Sequence, residues 1–196
     1  MAGGRGGGIR ASGQVRQRRS VSAPDWRGRI RRYADFPRPG VGFLDLMPVL
    51  ADGESFGQLL EALAEPWRGS MKPDVVAGVE SRGFLIGAPL ARVLGCGFIP
   101  LRKPGKLPGT VHRRSYSLEY GEDALEMQAD ALAPGRRVLL VDDVLATGGT
   151  LAAALALLGE LGAEVVGAGL VLEIVPLGGR ARLPSDCRVE VLERVG

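Results

Sequence analysis

The stretch VLLVDDVLATGGTL, residues 138–151, limits what this chain can fold into more than any other. A short apolar run, VLLV, leads straight into two adjacent carboxylates, Asp142 and Asp143. A turn of small residues follows, and then a helical pattern over 149–161 with Gly162 as its stop. An apolar run this short, bounded by turn residues and feeding a helix, is the strand–turn–helix step of a parallel α/β sheet.

The rest of the chain repeats that alternation. Residues 55–67 set Phe56, Leu59, Leu60, Leu63 and Trp67 at helical spacing, DVVAGV at 74–79 reads as a buried strand, and 83–94 reads as a helix ended by Gly95. GFIPL at 97–101 is another strand candidate. The Gly, Pro and Lys rich segment RKPGKLPGT then reads as a loop, and an alternating pattern resumes over 115–120. Residues 165–172 supply a further strand. Strands separated by helices predict one α/β domain over 25–196, a central parallel sheet flanked by helices; no internal repeat is visible.

Composition narrows the class. The chain of 196 residues is 45% hydrophobic, enough for a full core, and its formal charge of +3 suggests a nucleic-acid partner until the charge is located. Arg5, Arg10, Arg16, Arg18 and Arg19 all lie in residues 1–24, which hold no acid; without them 20 basic residues face 22 acidic ones. The basic signature therefore belongs to a Gly, Arg and Ser rich tail that cannot bury enough surface to offset its ordering entropy, and the expectation for 1–24 is disorder. No nucleic-acid partner is expected. Cys96 and Cys187 lie far apart with no CxxC spacing, which fits a reducing cytoplasm and two inert core thiols. No apolar run approaches the roughly 20 residues of a membrane span.

In open parallel sheets ligands gather beyond the carboxyl ends of the strands, where turns and helix N-termini converge. Asp142 and Asp143 fall at that edge, and the turn Ala146, Thr147, Gly148, Gly149, Thr150 can wrap an anion in backbone N–H groups at the positive end of the following helix. Carboxylates repel the same anion, so their presence needs a reason. Vicinal sugar hydroxyls supply one, because a carboxylate pair accepts hydrogen bonds from the 2- and 3-hydroxyls of a ribose whose 5-phosphate fills the turn. The bland alternative is an acidic pair that caps a turn. No GxxxxGK[ST] is present, and no GxGxxG follows a strand, so the common nucleotide loops are excluded.

VLLVDDVLATGGTL resembles the phosphoribosyl pyrophosphate (PRPP) motif of type I phosphoribosyltransferases. DFPRPGVGFLDLMPVL at 35–50, ESRGFLIG at 80–87, LRKPGKLPG at 101–109 and YSLEYGEDALEMQADAL at 116–132 narrow the resemblance to the adenine phosphoribosyltransferases, in family order over roughly 33–174. The resemblance implies a type I phosphoribosyltransferase fold with a small N-terminal hood. It also implies transfer of the phosphoribosyl group of PRPP to adenine, giving AMP and pyrophosphate, with Mg²⁺ carried mostly by PRPP oxygens and water. A homodimer is implied as well.

Residue by residue, the resemblance implies that Asp142 and Asp143 hold the ribose hydroxyls and that 146–150 bind the 5-phosphate. Arg82, in the loop after DVVAGV, would meet pyrophosphate. Arg102, Lys103 and Lys106 would meet it too, from a loop that closes over the site. Glu119 of SLEYG matches the carboxylate that handles the adenine proton, with Tyr120 near the base or the moving loop. Phe43 and backbone groups near Gly42, in the hood at 39–45, would meet adenine on one face and edge, and Ile174 would cover its other face. His112, with no second ligand candidate, reads as a surface residue.

Two departures stand out. Leu44 occupies the place where the pattern has an Arg after the hood Phe, which removes a charge near the substrate, and the long tail has no counterpart. Rival readings are a PRPP-sensing regulator on the same fold, which would need a DNA-binding module that a 24-residue tail cannot make, and a transferase for guanine, xanthine or hypoxanthine.

Overall fold

The structure, a computed structural model, describes residues 1, 25–36, 38–118 and 121–196. The tail expected over 1–24, apart from Met1, lies outside the described residues, as do Glu119 and Tyr120.

In chain order the elements are β1 (Arg31–Tyr33), β2 (Phe43–Asp45), α1 (Met47–Leu50), α2 (Gly53–Ala64), β3 (Val75–Val79), α3 (Arg82–Leu94) and β4 (Gly97–Leu101). They continue with β5 (Val111–Leu118), β6 (Gly121–Gln128), β7 (Arg137–Leu145), α4 (Gly149–Glu160), β8 (Glu164–Ile174) and β9 (Val189–Val195). Five strands form one all-parallel sheet in the order β4-β3-β7-β8-β9. The ribbon β1–β2 and the hairpin β5–β6 are separate antiparallel pairs.

Strand periodicity sorts the core. Val75, Ala77, Val79, Val138 and Leu140 join one apolar cluster with Leu151, Leu155 and Leu158 of α4 and Leu125 and Met127 of the hairpin. Their neighbours Val76, Leu139 and Val141 join a second cluster with Leu59 and Leu63 of α2 and Ile86 and Leu90 of α3. Successive strand residues face opposite sides, so a sheet covered on both faces demands the near-continuous apolar runs seen in the sequence. Trp67 is fully buried in the second cluster. It is seated by β8: a Cβ at Gly167 would stand 2.6 Å from the indole.

Local signals explain the helix ends. Asp52 caps α2 by accepting from Ser55 N at 3.0 Å, which starts the helix at Gly53, two residues before the sequence pattern does. Pro66 sits in the 3-10 turn that closes it, and Gly95 ends α3 as expected. Two elements depart from the sequence reading. The strand placed at 138–141 runs on to Leu145, because the long β8 offers partners past the acid pair: Val144 pairs with Leu172 and Leu145 with Glu173. The alternation read over 115–120 belongs, as far as Leu118, to the hairpin β5–β6, whose register runs from Val111 opposite Gln128 to Leu118 opposite Gly121.

Cys96 and Cys187 are free thiols. They are half-buried at the margins of the two clusters rather than within them, and burial pushes both thiols up. Among the described residues no helix is long and apolar enough to cross a membrane.

Candidate active site

The carboxyl ends of β3, β7 and β8 open into a cavity of about 710 Å³, a size suited to a small-molecule ligand. Gly42, Phe43, Arg82, Lys103, Asp142, Asp143, Ile174 and the turn 146–150 all line it, so most of the residues singled out from the sequence meet in one place. Arg102 and Lys106 are not among the lining residues, and His112 is exposed away from it.

The phosphate-type turn follows directly from β7. Gly148, at φ 80°, is the N-cap of α4 and offers no side-chain cap. The first N–H groups of α4 therefore carry the unsatisfied positive end of the helix dipole toward the cavity. A second strand of backbone braces this turn from behind. A Cβ at Gly148 would stand 2.2 Å from Gly179 O, and one at Gly179 only 2.1 Å from Ala146 O, so two glycines are what lets main chain pack on main chain here. The bracing segment is tied down by Glu173, which is 4% exposed. Glu173 accepts from Arg180 Nε at 3.1 Å and Nη2 at 2.8 Å, and from Arg194 Nε at 3.1 Å. The Arg180 hydrogen bonds, outweighing burial, hold its carboxyl below the ordinary range.

The acid pair is strongly asymmetric in its contacts. Asp142 Oδ1 accepts from Asp143 N at 2.9 Å. Asp143, 4% exposed, has Oδ2 at 2.8 Å from Arg82 Nε. That contact is ionic, outside hydrogen-bond geometry, and leaves Oδ2 a buried acceptor with no donor among the described residues. Burial first, and then the charge of Asp143, push Asp142 well above the usual aspartate value; burial also lifts Asp143 against the pull of Arg82.

The hood is the ribbon β1–β2 with the segment between its strands. Phe43 meets Phe36 edge-on, ring centroids 4.9 Å apart, and the Arg82 guanidinium lies 5.7 Å from the Phe43 centroid. Arg82 thus touches both the acid pair and the aromatic wall. Leu44 packs against the second apolar cluster, and Arg32 is its partner across the ribbon.

The basic loop lies at the rim. Lys103 Nζ donates to Tyr116 Oη at 2.8 Å and makes a short ion pair with Asp123, while Thr150 Oγ1 donates to Tyr116 Oη at 3.3 Å. Tyr116 therefore links the basic loop to the phosphate-type turn. Glu80, Gly179, Glu173, Tyr116 and Asp123 are contributors the sequence reading did not assign. Glu80 opens ESRGFLIG and Tyr116 opens YSLEYG, but no local pattern gives either its partner or marks the other three, because each acts through a residue distant in sequence.

A family model described as a phosphoribosyl transferase domain matches residues 50–189. The chain is 54% identical over 161 residues to an adenine phosphoribosyltransferase of Xanthomonas campestris pv. campestris (strain B100), covering 82% of this chain and 86% of that one. The crystal structure of adenine phosphoribosyltransferase from Rhodothermus marinus DSM 4252 matches with a TM-score of 0.82 at 45% identity, over 87% of this chain and 96% of that one. The enzyme from Saccharomyces cerevisiae, complexed with D-2,5-dideoxy-2,5-imino-altritol 1,6-bisphosphate and adenine, matches with a TM-score of 0.81 at 39% identity, over 85% and 96% of the two chains. The chain belongs to the adenine phosphoribosyltransferase family.

Proposed function

We propose that this protein transfers the 5-phosphoribosyl group of PRPP to adenine, releasing pyrophosphate and forming AMP, as a step of purine salvage. The observation that carries this reading is the shared cavity: an acid pair with an unsatisfied buried acceptor, an uncapped helix start and an aromatic wall all open into it. A ribose hydroxyl is the donor Asp143 Oδ2 lacks, the N–H groups around Gly148 suit a 5-phosphate, and Phe43 and Ile174 suit the two faces of a neutral base.

In this mechanism Asp142 and Asp143 orient the ribose while bond breaking at the anomeric carbon leaves positive charge on the sugar and negative charge on pyrophosphate. Arg82, Lys103 and, after loop movement, Arg102 and Lys106 answer the negative charge. Glu119 exchanges the adenine proton as the bond to N9 forms, with Tyr120 beside it. Backbone carbonyls near Gly42 select the amino group of adenine, since hypoxanthine would leave a buried acceptor unpaired at a loss of about 1–3 kcal/mol.

Among the described residues no group of three or more His, Cys, Asp or Glu is placed to hold a metal. The hard oxygens of Asp142 and Asp143 nevertheless fit Mg²⁺ held through water and substrate, where it would offset the charge of pyrophosphate. Residues 25–196 form the catalytic unit, the working state is a homodimer, and the free thiols suit the cytoplasm. A panel of adenine, hypoxanthine, guanine and xanthine with PRPP and Mg²⁺ tests the assignment: pyrophosphate release is expected with adenine, and preference for another base overturns it.

A further inference from the structure

Arg102 and Lys106, two of the four cations expected to meet pyrophosphate, are turned toward a single carboxylate. Glu80 directly follows β3 at the cavity wall, and its side chain is 10% exposed. Glu80 Oε2 accepts from Lys103 N at 2.8 Å and from Arg102 Nε at 3.4 Å, and Oε1 is paired with Lys106 Nζ. Burial works to raise this carboxyl and is outweighed by the loop: hydrogen bonds from Lys106, Lys103 N and Arg102 hold it down at about 2, so it is ionised at any assay pH.

A nearby contact shows what mere anchoring looks like. Among the described residues the Glu126 side chain, 6% exposed, accepts from the backbone N–H of Gly105 at 2.9 Å, and the backbones of Arg102 and Glu126 pair with each other. That arrangement fixes the loop without spending a side-chain cation. Glu80 differs because it neutralises the charges that the reaction needs. Lys103 is excluded from this exchange at its ammonium, which Asp123 and Tyr116 hold.

We propose that Glu80 is a positioning residue that stands in for pyrophosphate, holding Arg102 and Lys106 at the rim of the cavity and lowering the affinity for the pyrophosphate product. The inference rests on the reading of this cavity as the PRPP site. The charges of Arg102 and Lys106 would repel one another if crowded together without an anion, so a resident carboxylate keeps the loop ordered. When pyrophosphate arrives, the carboxylate either surrenders its cations or stays close and repels the newcomer. In both cases its charge weakens binding and speeds release of a product whose own charge would otherwise hold it. An anchoring role alone predicts the opposite sign, because loosening the loop would weaken pyrophosphate binding.

Calorimetric titration of the full chain with pyrophosphate and Mg²⁺ separates the two. Glu80→Gln, whose amide oxygen still accepts from Lys103 N, is expected to bind pyrophosphate about tenfold tighter than wild type, equivalent to about 1.4 kcal/mol. Its KM for PRPP is expected to fall and its kcat to fall with it, because the product leaves more slowly. Glu80→Asp keeps the charge but withdraws it from Lys106 by one methylene, tightens binding by about threefold, and decides the matter if the Gln variant does not fold. Wild-type binding with equal or weaker binding by both folded variants overturns the role of Glu80 and leaves the site reading standing. Absence of pyrophosphate binding by wild type overturns both.

Discussion

Arg82 Nε stands 2.8 Å from Asp143 Oδ2, so the residue proposed for the leaving pyrophosphate and one proposed for the ribose share a contact before any substrate arrives. Even beside that cation the acid pair is hard to ionise. Burial, and for Asp142 the charge of Asp143, hold both carboxyls above the ordinary aspartate value of 3.8. A carboxyl raised in the folded state stabilises the fold fully below its unfolded value and loses that contribution as pH rises through the folded value. The stabilisation contributed by the acid pair in the free protein is therefore expected to decline as pH climbs above about 3.8. Asp142→Asn is expected to flatten that slope, measured as Tm against pH. Glu80 has the opposite sign: its contribution is present above 4.5 and is lost as pH falls toward about 2.

The backbone contact behind the phosphate-type turn gives a second prediction. Gly179→Ala would put a methyl 2.1 Å from Ala146 O, where neither main chain can yield without moving the turn. Its kcat/KM for PRPP is expected to fall on the order of 10²-fold, with adenine binding little changed. Steady-state kinetics with each substrate varied in turn measures this.

The base pocket can be tested separately. Phe43→Ala removes the aromatic wall, and base stacking on such a wall contributes about 1–3 kcal/mol. The KM for adenine is expected to rise by about fivefold to 10²-fold while that for PRPP stays near wild type.

Glu119 carries the proton step in the proposed mechanism. Glu119→Ala is expected to lower kcat by about 10²–10⁴-fold with little change in the KM for PRPP. Pre-steady-state measurement of AMP formation checks it, and an unaffected rate would remove Glu119 from the mechanism.

The sheet was legible in the sequence because its strands are covered on both faces: VLLV and VVAGV are apolar at every position, and a glycine follows α3. The acid pair and the glycine-bearing turn were legible because their chemistry is local. β9 was not, since VEVLERV is only half-buried and earns its place by pairing with β8. Nor was the end of β7, because how far a strand continues depends on the length of its neighbour. Glu173 looked like one acid at a strand end, and only the fold brings Arg180 and Arg194 to it. The rim contacts of Glu80 were hidden for the same reason, as Lys106 lies 26 residues away along the chain.

Whether a sugar phosphate sits where the acid pair meets the start of α4 is seen in a crystal structure of the protein with ribose 5-phosphate. The phosphate is expected within hydrogen-bond reach of backbone N–H groups in 147–150, and the 2- and 3-hydroxyls on Asp142 and Asp143. A phosphate bound elsewhere, with Asp143 Oδ2 still lacking a donor, would contradict it.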